Sequence, residues 1–128
     1  MSFRILIADD EPHIRQAVGQ IIRRHEGWSL CGEARDGIEA VQKAAELQPD
    51  LVLLDISMPQ LDGLSATARI KDASPGSGVI ILTLHESLSL ARMASVAGAA
   101  GYMTKSLATR ELVATIEAFQ AGASAPRE

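Results

Sequence analysis

The stretch Ile5-Leu6-Ile7-Ala8-Asp9-Asp10 is an apolar run that ends abruptly in two carboxylates. Three later runs share this form: Leu51-Val52-Leu53-Leu54 ends at Asp55, Val79-Ile80-Ile81-Leu82 ends at Thr83, and the weaker Gly101-Tyr102-Met103-Thr104 ends at Lys105. Continuous runs of Val, Ile and Leu are typical of strands buried on both faces of a parallel sheet. In such sheets, ligands bind beyond the carboxyl ends of the strands. The sequence therefore predicts that three carboxylates, one hydroxyl and one amine share a crevice.

The spacing of these runs predicts an alternation of strands and helices along the chain. Strands are predicted at about 3–8, 28–34, 51–55, 79–83 and 101–104, and helices from near Pro12, from the cap residue Asp36, and at about 63–72, 87–97 and 109–121. This alternation is typical of a doubly wound α/β sandwich. The second strand is the most polar, so we place it at an edge. The resulting flavodoxin-like parallel order 2-1-3-4-5 brings Asp9, Asp10 and Asp55 together.

The helices carry patterns that predict which of their sides are buried. The buried side of the first helix is predicted to be Ile14, Ala17, Val18, Ile21 and Ile22, and that of the second Ile38, Val41, Ala45 and Leu47. We interpret His13 and His25 as exposed helix residues, and Asp62 as the cap of the third helix. The fourth helix is rich in small residues, which predicts shallow packing.

The composition indicates a single globular domain. The chain has 128 residues, and we assign 1–121 to the domain and 122–128 to a tail or the start of a linker. The net charge of -4 argues against direct binding to a nucleic-acid backbone. No apolar run approaches the roughly 18 residues that a membrane span requires, so no membrane partner is expected. The single cysteine, Cys31, forms no internal disulfide and fits a cytoplasmic location.

Three carboxylates in one crevice require a compensating charge, because their repulsion would otherwise keep one of them protonated. Mg2+ takes oxygen ligands and is typically held by one or two carboxylates and a phosphate oxygen. Lys105 adds a positive charge and Thr83 a hydroxyl donor at the same place. A cation, an ammonium and a hydroxyl directed at one point suit phosphoryl transfer, with Asp55 as the nucleophile.

The chain resembles the receiver domains of bacterial two-component response regulators over about residues 3–121. The resemblance rests on Asp9-Asp10-Glu11-Pro12, Asp55-Ile56-Ser57-Met58-Pro59-Gln60-Leu61-Asp62-Gly63, Thr83 and Gly101-Tyr102-Met103-Thr104-Lys105-Ser106. Residues 82–86 and 97–102 are similar to the NarL/FixJ-type subgroup, whose receivers precede a LuxR-type helix-turn-helix domain. One departure is Ser106, since many receivers have a proline directly after the lysine, often with a cis bond.

The resemblance implies how the acidic residues act. Asp55 would accept a phosphoryl group from a phosphohistidine on a sensor histidine kinase. Asp10, Asp55 and the backbone carbonyl of Ser57 would bind Mg2+, and Asp9 would act through water.

The resemblance also implies a switch. Lys105 would pair with Asp55 and then with the phosphoryl group, and Thr83 would hydrogen-bond a phosphoryl oxygen. Tyr102 would turn inward when Thr83 moves, and the surface of helix four, strand five and helix five would change. Ser57 and His85 lie near the pocket mouth, where we expect them to tune the phosphate lifetime.

The expected function is therefore a phosphorylation-dependent signalling switch that controls an output, with transcription favoured. Its expected partners are a sensor histidine kinase, a second copy of the phosphorylated chain, and DNA only through a C-terminal helix-turn-helix domain absent from this chain. The alternatives are a stand-alone receiver that regulates a partner protein, a pseudo-receiver, a flavin-binding module and an Asp-nucleophile phosphatase. The phosphatase would need a second Asp two residues after the nucleophile, where this chain has Ser57. A flavin phosphate would be repelled by Asp9-Asp10-Glu11.

Overall fold

The computed structural model describes residues 2–58, 60–84 and 87–122, and of residues 106–109 it describes the backbone only. Within these residues, strands and helices alternate: β1 (Phe3–Ala8), α1 (Pro12–Arg24), β2 (Trp28–Ala34), α2 (Gly37–Leu47), β3 (Leu51–Asp55), α3 (Gly63–Ala73), β4 (Gly78–Thr83), α4 (Leu88–Ala97), β5 (Gly101–Thr104) and α5 (Lys105–Gln120). The strands form one parallel sheet in the order β2-β1-β3-β4-β5, which confirms the predicted order. None of the described helices has the length and apolar content needed to cross a membrane.

Each face of the sheet is covered by its own set of helices, because successive strand side chains point to opposite faces. One face packs Leu6, Val52, Leu54 and Ile81 against buried side chains of α2, α3 and α4, among them Ala40, Ala44, Ala66, Ile70 and Ala94. The other face packs Ile5, Ile7, Leu53 and Ile80 against α1 and α5 through Val18, Ile22, Leu112 and Ile116. The two-sided burial explains why these strands have uninterrupted apolar sequences.

The buried side of α2 matches the prediction at Val41, which packs half-buried against the core, but differs from it at two other positions. Ile38 is 42% exposed and Ala45 is exposed, whereas Gly37, Ala40 and Ala44 are buried. The reason is the close approach of α2 to the loop that follows β3. A Cβ atom on Gly37 would lie 1.9 Å from the carbonyl oxygen of Leu61, so only the smallest side chains fit there.

The helix caps follow the sequence expectations. The carboxylate of Asp36 accepts from the backbone N–H of Glu39 at 2.8 Å, and that of Asp62 from Ser65 at 2.9 Å. The latter bond lowers the pKa of Asp62. Asp62 is therefore a cap of α3, as predicted.

Helix α5 begins at Lys105, four residues earlier than predicted. No peptide bond among the described residues is cis. The backbone of Ser106 continues directly from Lys105 into α5. Ser106, which stands where many receivers have a proline, therefore lies in the first turn of α5. His85 and residues 123–128 lie outside the described residues, so the expectations for His85 and for most of the tail remain predictions.

Helix α4 packs through few side chains, as its small residues predicted. Ala94 is its buried residue, whereas Leu88 is 73% exposed and Val96 is 89% exposed. Gly98 ends the helix in the left-handed region with φ of 106°.

Candidate functional site

The three acidic residues predicted from the strand ends lie together. Asp9 and Asp10 follow β1, Asp55 ends β3, and the two strands are hydrogen-bonded neighbours. One carboxylate oxygen from each residue lies within 4.8 Å of the others. Asp9 and Asp55 are buried, whereas Asp10 is exposed at the edge of the site.

Lys105 closes the site from the far side of β4. Its Nζ lies 2.9 Å from Asp9 Oδ2 and 3.2 Å from Asp55 Oδ1. Burial opposes the charge on this amine, but the contacts with Asp9 and Asp55 outweigh it and raise the pKa of Lys105. The amine therefore stays charged between the two buried carboxylates.

Asp55 has an unusual electrostatic environment. Burial and the neighbouring charge of Asp9 raise the pKa of Asp55 to about 6, against the opposing effects of the Ser57 N–H and Lys105. The Ser57 N–H donates to Asp55 Oδ1 at 3.1 Å. At neutral pH, keeping the Asp55 carboxyl ionised costs free energy, and a bound cation would reduce that cost.

The donor set fits a divalent cation. Asp9 Oδ1 accepts the backbone N–H of Glu11 at 2.9 Å. Asp9 Oδ2 is buried and forms an ionic contact with Lys105 Nζ at 2.9 Å. The three carboxylates lie close together, and two of them contact the Lys105 ammonium. Carboxylate oxygens are the ligands that hard cations prefer. This acidic cluster could therefore bind a metal ion.

A cavity of about 320 Å³ opens above Asp55. Its walls are formed by Asp10, Glu11, Ile14, Asp55, Ile56, Ser57, Thr83, Leu84 and Lys105. Thr83 is buried at the end of β4, next to the strand that carries Asp55, and Ser57 is exposed. The predicted hydroxyl and amine therefore face the same space as the acidic cluster.

Several wall residues were not predicted from the sequence. The apolar stripe of α1 predicts that Ile14 is buried, but it does not predict that Ile14 lines a cavity. Leu84, 67% exposed, follows Thr83 directly and could have been inferred from that position. Together with the charged side chains, these apolar side chains give the pocket a mixed lining.

Tyr102 does not line the cavity. It is 6% exposed and packs in the core on the α4 side of the sheet, among residues that include Ala94 and Ala99. The ring is thus buried in this structure. Whether it moves remains a prediction.

The raised pKa of Asp55 predicts a pH-dependent gain in stability for Asp55→Asn. A carboxyl whose pKa is raised on folding stabilises the fold in its protonated form, and this contribution is lost as pH rises through about 6. Asn imitates the protonated form and leaves Lys105 paired with Asp9. In metal-free buffer we expect the variant to be more stable by on the order of 2 kcal/mol at about pH 7.5, and to show little difference at about pH 4.

Urea unfolding with a chelator at both pH values tests this expectation. Addition of Mg2+ should reduce the stability difference between the native chain and the variant at the higher pH, because the bound cation compensates the charge of the Asp55 carboxylate. A stability difference of equal size at both pH values would contradict the assigned environment of Asp55.

Known proteins resemble this chain in sequence and in structure. The profile of the family described as response regulator receiver domain matches residues 5–117. The chain is 44% identical over 105 residues to protein-glutamate methylesterase/protein-glutamine glutaminase 4 of Myxococcus xanthus (strain DK1622), covering 81% of this chain and 30% of that protein. It is 36% identical over 119 residues to response regulator GacA of Pseudomonas viridiflava, covering 93% of this chain and 56% of that protein.

A solved structure has the same fold. It is the two-component response regulator of the LuxR family from Aurantimonas sp. SI85-9A1, with a TM-score of 0.91 at 36% identity, covering 98% of this chain and 90% of that chain. The chain spans about half the length of GacA and less of the methylesterase. The matched region contains every wall residue of the cavity. The chain belongs to the response regulator receiver domain family.

Proposed function

We propose that this domain is a phosphorylation-dependent signalling switch in which Asp55 accepts a phosphoryl group from a sensor histidine kinase. The observation that carries the proposal is the placement of the Asp55 carboxylate. It is buried beside Asp9, contacts Lys105 Nζ at 3.2 Å, and opens into a cavity large enough for a phosphoryl group. Such an arrangement combines a nucleophile with the charges that its reaction requires.

Mg2+ is the proposed cofactor. Asp10, Asp55 and the backbone carbonyl of Ser57 would hold it, with Asp9 acting through water, and it would neutralise charge on the phosphoryl oxygens. In the transfer, an Asp55 oxygen forms the new P–O bond while the P–N bond to the donor histidine breaks. The electron pair of that bond returns to the imidazole.

The remaining residues of the site would hold the product. Lys105, positioned by its contact with Asp9, would pair with one phosphoryl oxygen, and the Thr83 hydroxyl would donate to another. Their displacement would shift the conformational equilibrium of the surface formed by α4, β5 and α5. Tyr102 is the proposed switch aromatic of this surface. The shallow packing of α4 supports this assignment, because few contacts would have to be remade. Ser57 and His85 are proposed to tune the phosphate lifetime.

The proposed output is transcription, carried out by a helix-turn-helix domain in a longer protein. The acidic net charge of this chain argues against direct DNA binding by this domain. The greater length of its relatives leaves room for a separate output domain. Phosphorylation is proposed to favour a homodimer, to which exposed apolar residues such as Leu88 could contribute. A stand-alone receiver acting on a partner protein is the alternative.

The free, half-buried Cys31, whose pKa is raised by burial, suits the proposed cytoplasmic location.

The test is incubation with acetyl phosphate and Mg2+, followed by mass spectrometry of the intact chain. We expect a gain of one phosphoryl group that is lost with a chelator and in the control variant Asp55→Asn. Because an acyl phosphate is attacked by hydroxylamine, that reagent should remove it. A phosphoryl group that survives hydroxylamine, or no gain in the folded native chain, would overturn the proposal.

A further inference from the structure

A second cluster of interacting side chains lies at the opposite end of the sheet, where β2 begins. His25, just after α1, stacks on Trp28 with ring centroids 3.5 Å apart and planes 10° from parallel. Trp28 Nε1 donates to Gln120 Oε1 at 2.8 Å, near the end of α5. The contacts join the α1–β2 corner to the last turn of α5.

Both nitrogens of the His25 ring face oxygen acceptors. Nδ1 lies 2.7 Å from the backbone carbonyl oxygen of Glu26, and Nε2 lies 3.1 Å from Glu117 Oε2. A carbonyl oxygen and an ionised carboxylate can only accept hydrogen bonds, and neutral imidazole carries a single N–H. Only the imidazolium form donates to both partners, so this geometry suits a protonated ring.

Two further features favour the charged ring. His25 caps the C-terminus of α1, where the helix dipole favours a positive charge, and the face of Trp28 attracts a stacked cation. Among the described residues, Glu117 supplies the acidic oxygen found within 4 Å of a ring nitrogen.

The other charged groups around His25 do not replace Glu117 as its partner. On α1, Arg23 reaches toward Glu33 of β2, at 3.9 Å, and Arg24 is exposed. The side chain of Glu26 is exposed, while its carbonyl faces the ring.

We propose that His25, Trp28 and Glu117 form a proton-dependent clamp that fastens the end of α5 to the α1–β2 corner. When the ring is protonated, both hydrogen bonds and the stacking hold α5 in place. When the ring loses its proton, one ring nitrogen presents a lone pair to an oxygen and the ion pair with Glu117 is lost. The clamp therefore tightens when the ring gains a proton and loosens when the ring loses it.

Trp28 makes this clamp directly observable, because it is the single tryptophan of the sequence. A stacked imidazolium quenches indole emission, so we expect the fluorescence of the full chain to rise with pH in one single-proton transition. His25→Gln should abolish the transition.

His13→Gln is the matched control, since His13 is exposed in the first turn of α1 and should leave the transition unchanged. Retention of the full transition in His25→Gln, or a flat titration of the folded native chain, would overturn the proposal. The titration is repeated in Asp55→Asn, where the transition should persist. The clamp and the phosphoryl-acceptor function can therefore fail independently.

Hydrogen exchange measures the consequence for α5. At about pH 5.5, amides in the last turn of α5 should exchange more slowly in the native chain than in His25→Gln. At about pH 8 the two proteins should converge, because neither then carries an imidazolium. Equal exchange of the two proteins at both pH values would show that the ring does not fasten the helix.

Discussion

Lys105→Met is expected to slow phosphorylation of Asp55 by acetyl phosphate by about 10²–10³-fold at saturating Mg2+. The Lys105 amine lies 2.9 Å from Asp9 Oδ2 and 3.2 Å from Asp55 Oδ1, at the base of the cavity. Its removal takes away the one described side-chain cation among the cavity walls, and with it a partner for the phosphoryl oxygens. The rate of phosphoryl incorporation, followed by intact mass over time, measures the effect.

Lys43→Met is the matched control for this experiment. Lys43 lies on α2, donates to the backbone carbonyl of Glu33, and does not line the cavity. It should be phosphorylated at the native rate. Circular dichroism must show that Lys105→Met is folded, because the loss of a charge partner for buried carboxylates also reduces stability. A folded Lys105→Met variant with the native rate would remove Lys105 from the phosphoryl-transfer chemistry.

Gly63→Ala is expected to lower the free energy of unfolding by about 3 kcal/mol, the upper end of the cost of an overpacked interior. A Cβ atom at Gly63 would lie 2.6 Å from the Asp55 carbonyl oxygen and 2.6 Å from Ile56 Cα. Both are backbone atoms, so no side-chain rotation can relieve the clash. The start of α3 must move away from the end of β3, and the hydrogen bond from Gly63 N to the Ile56 carbonyl, 2.9 Å long, is strained or broken.

Gly76→Ala provides the control, because a Cβ atom there meets nothing within 4 Å. That variant should change stability by less than about 1 kcal/mol, or raise it slightly through the unfolded chain. Urea unfolding of both variants measures the difference. If Gly63→Ala were as stable as Gly76→Ala, the close packing of α3 on the acceptor strand would be incorrect.

The sheet could be predicted well because its strands are buried on both faces. Such strands need unbroken apolar sequences, and 51–55 and 79–83 stand out for that reason. The side of α2 that is buried could not be predicted in the same way. Gly37, Ala40 and Ala44 pack closely because they are small, and small residues carry little hydrophobic signal. Ile38 has the stronger signal but faces solvent.

The shared position of the acidic residues and Lys105 was also predictable, because all of them end or directly follow apolar runs. Features that depend on contacts between distant elements were not. His25 was expected to be exposed, yet it is half-buried, since Trp28 and α5 cover it. The inward position of Tyr102 depends on side-chain packing that no sequence pattern specifies.

Helix α5 starts at the amine of the phosphoryl-acceptor site and carries Glu117 of the clamp near its other end. Glu117 lies twelve positions after Lys105 on the helix, a rise of about 18 Å. Any movement that this rod transmits must obey thermodynamic reciprocity: the factor by which phosphorylation of the aspartate alters proton affinity at the far end equals the factor by which protonation alters the phosphorylation equilibrium. A receiver built this way would combine the proton concentration around it with its upstream signal through one rigid lever.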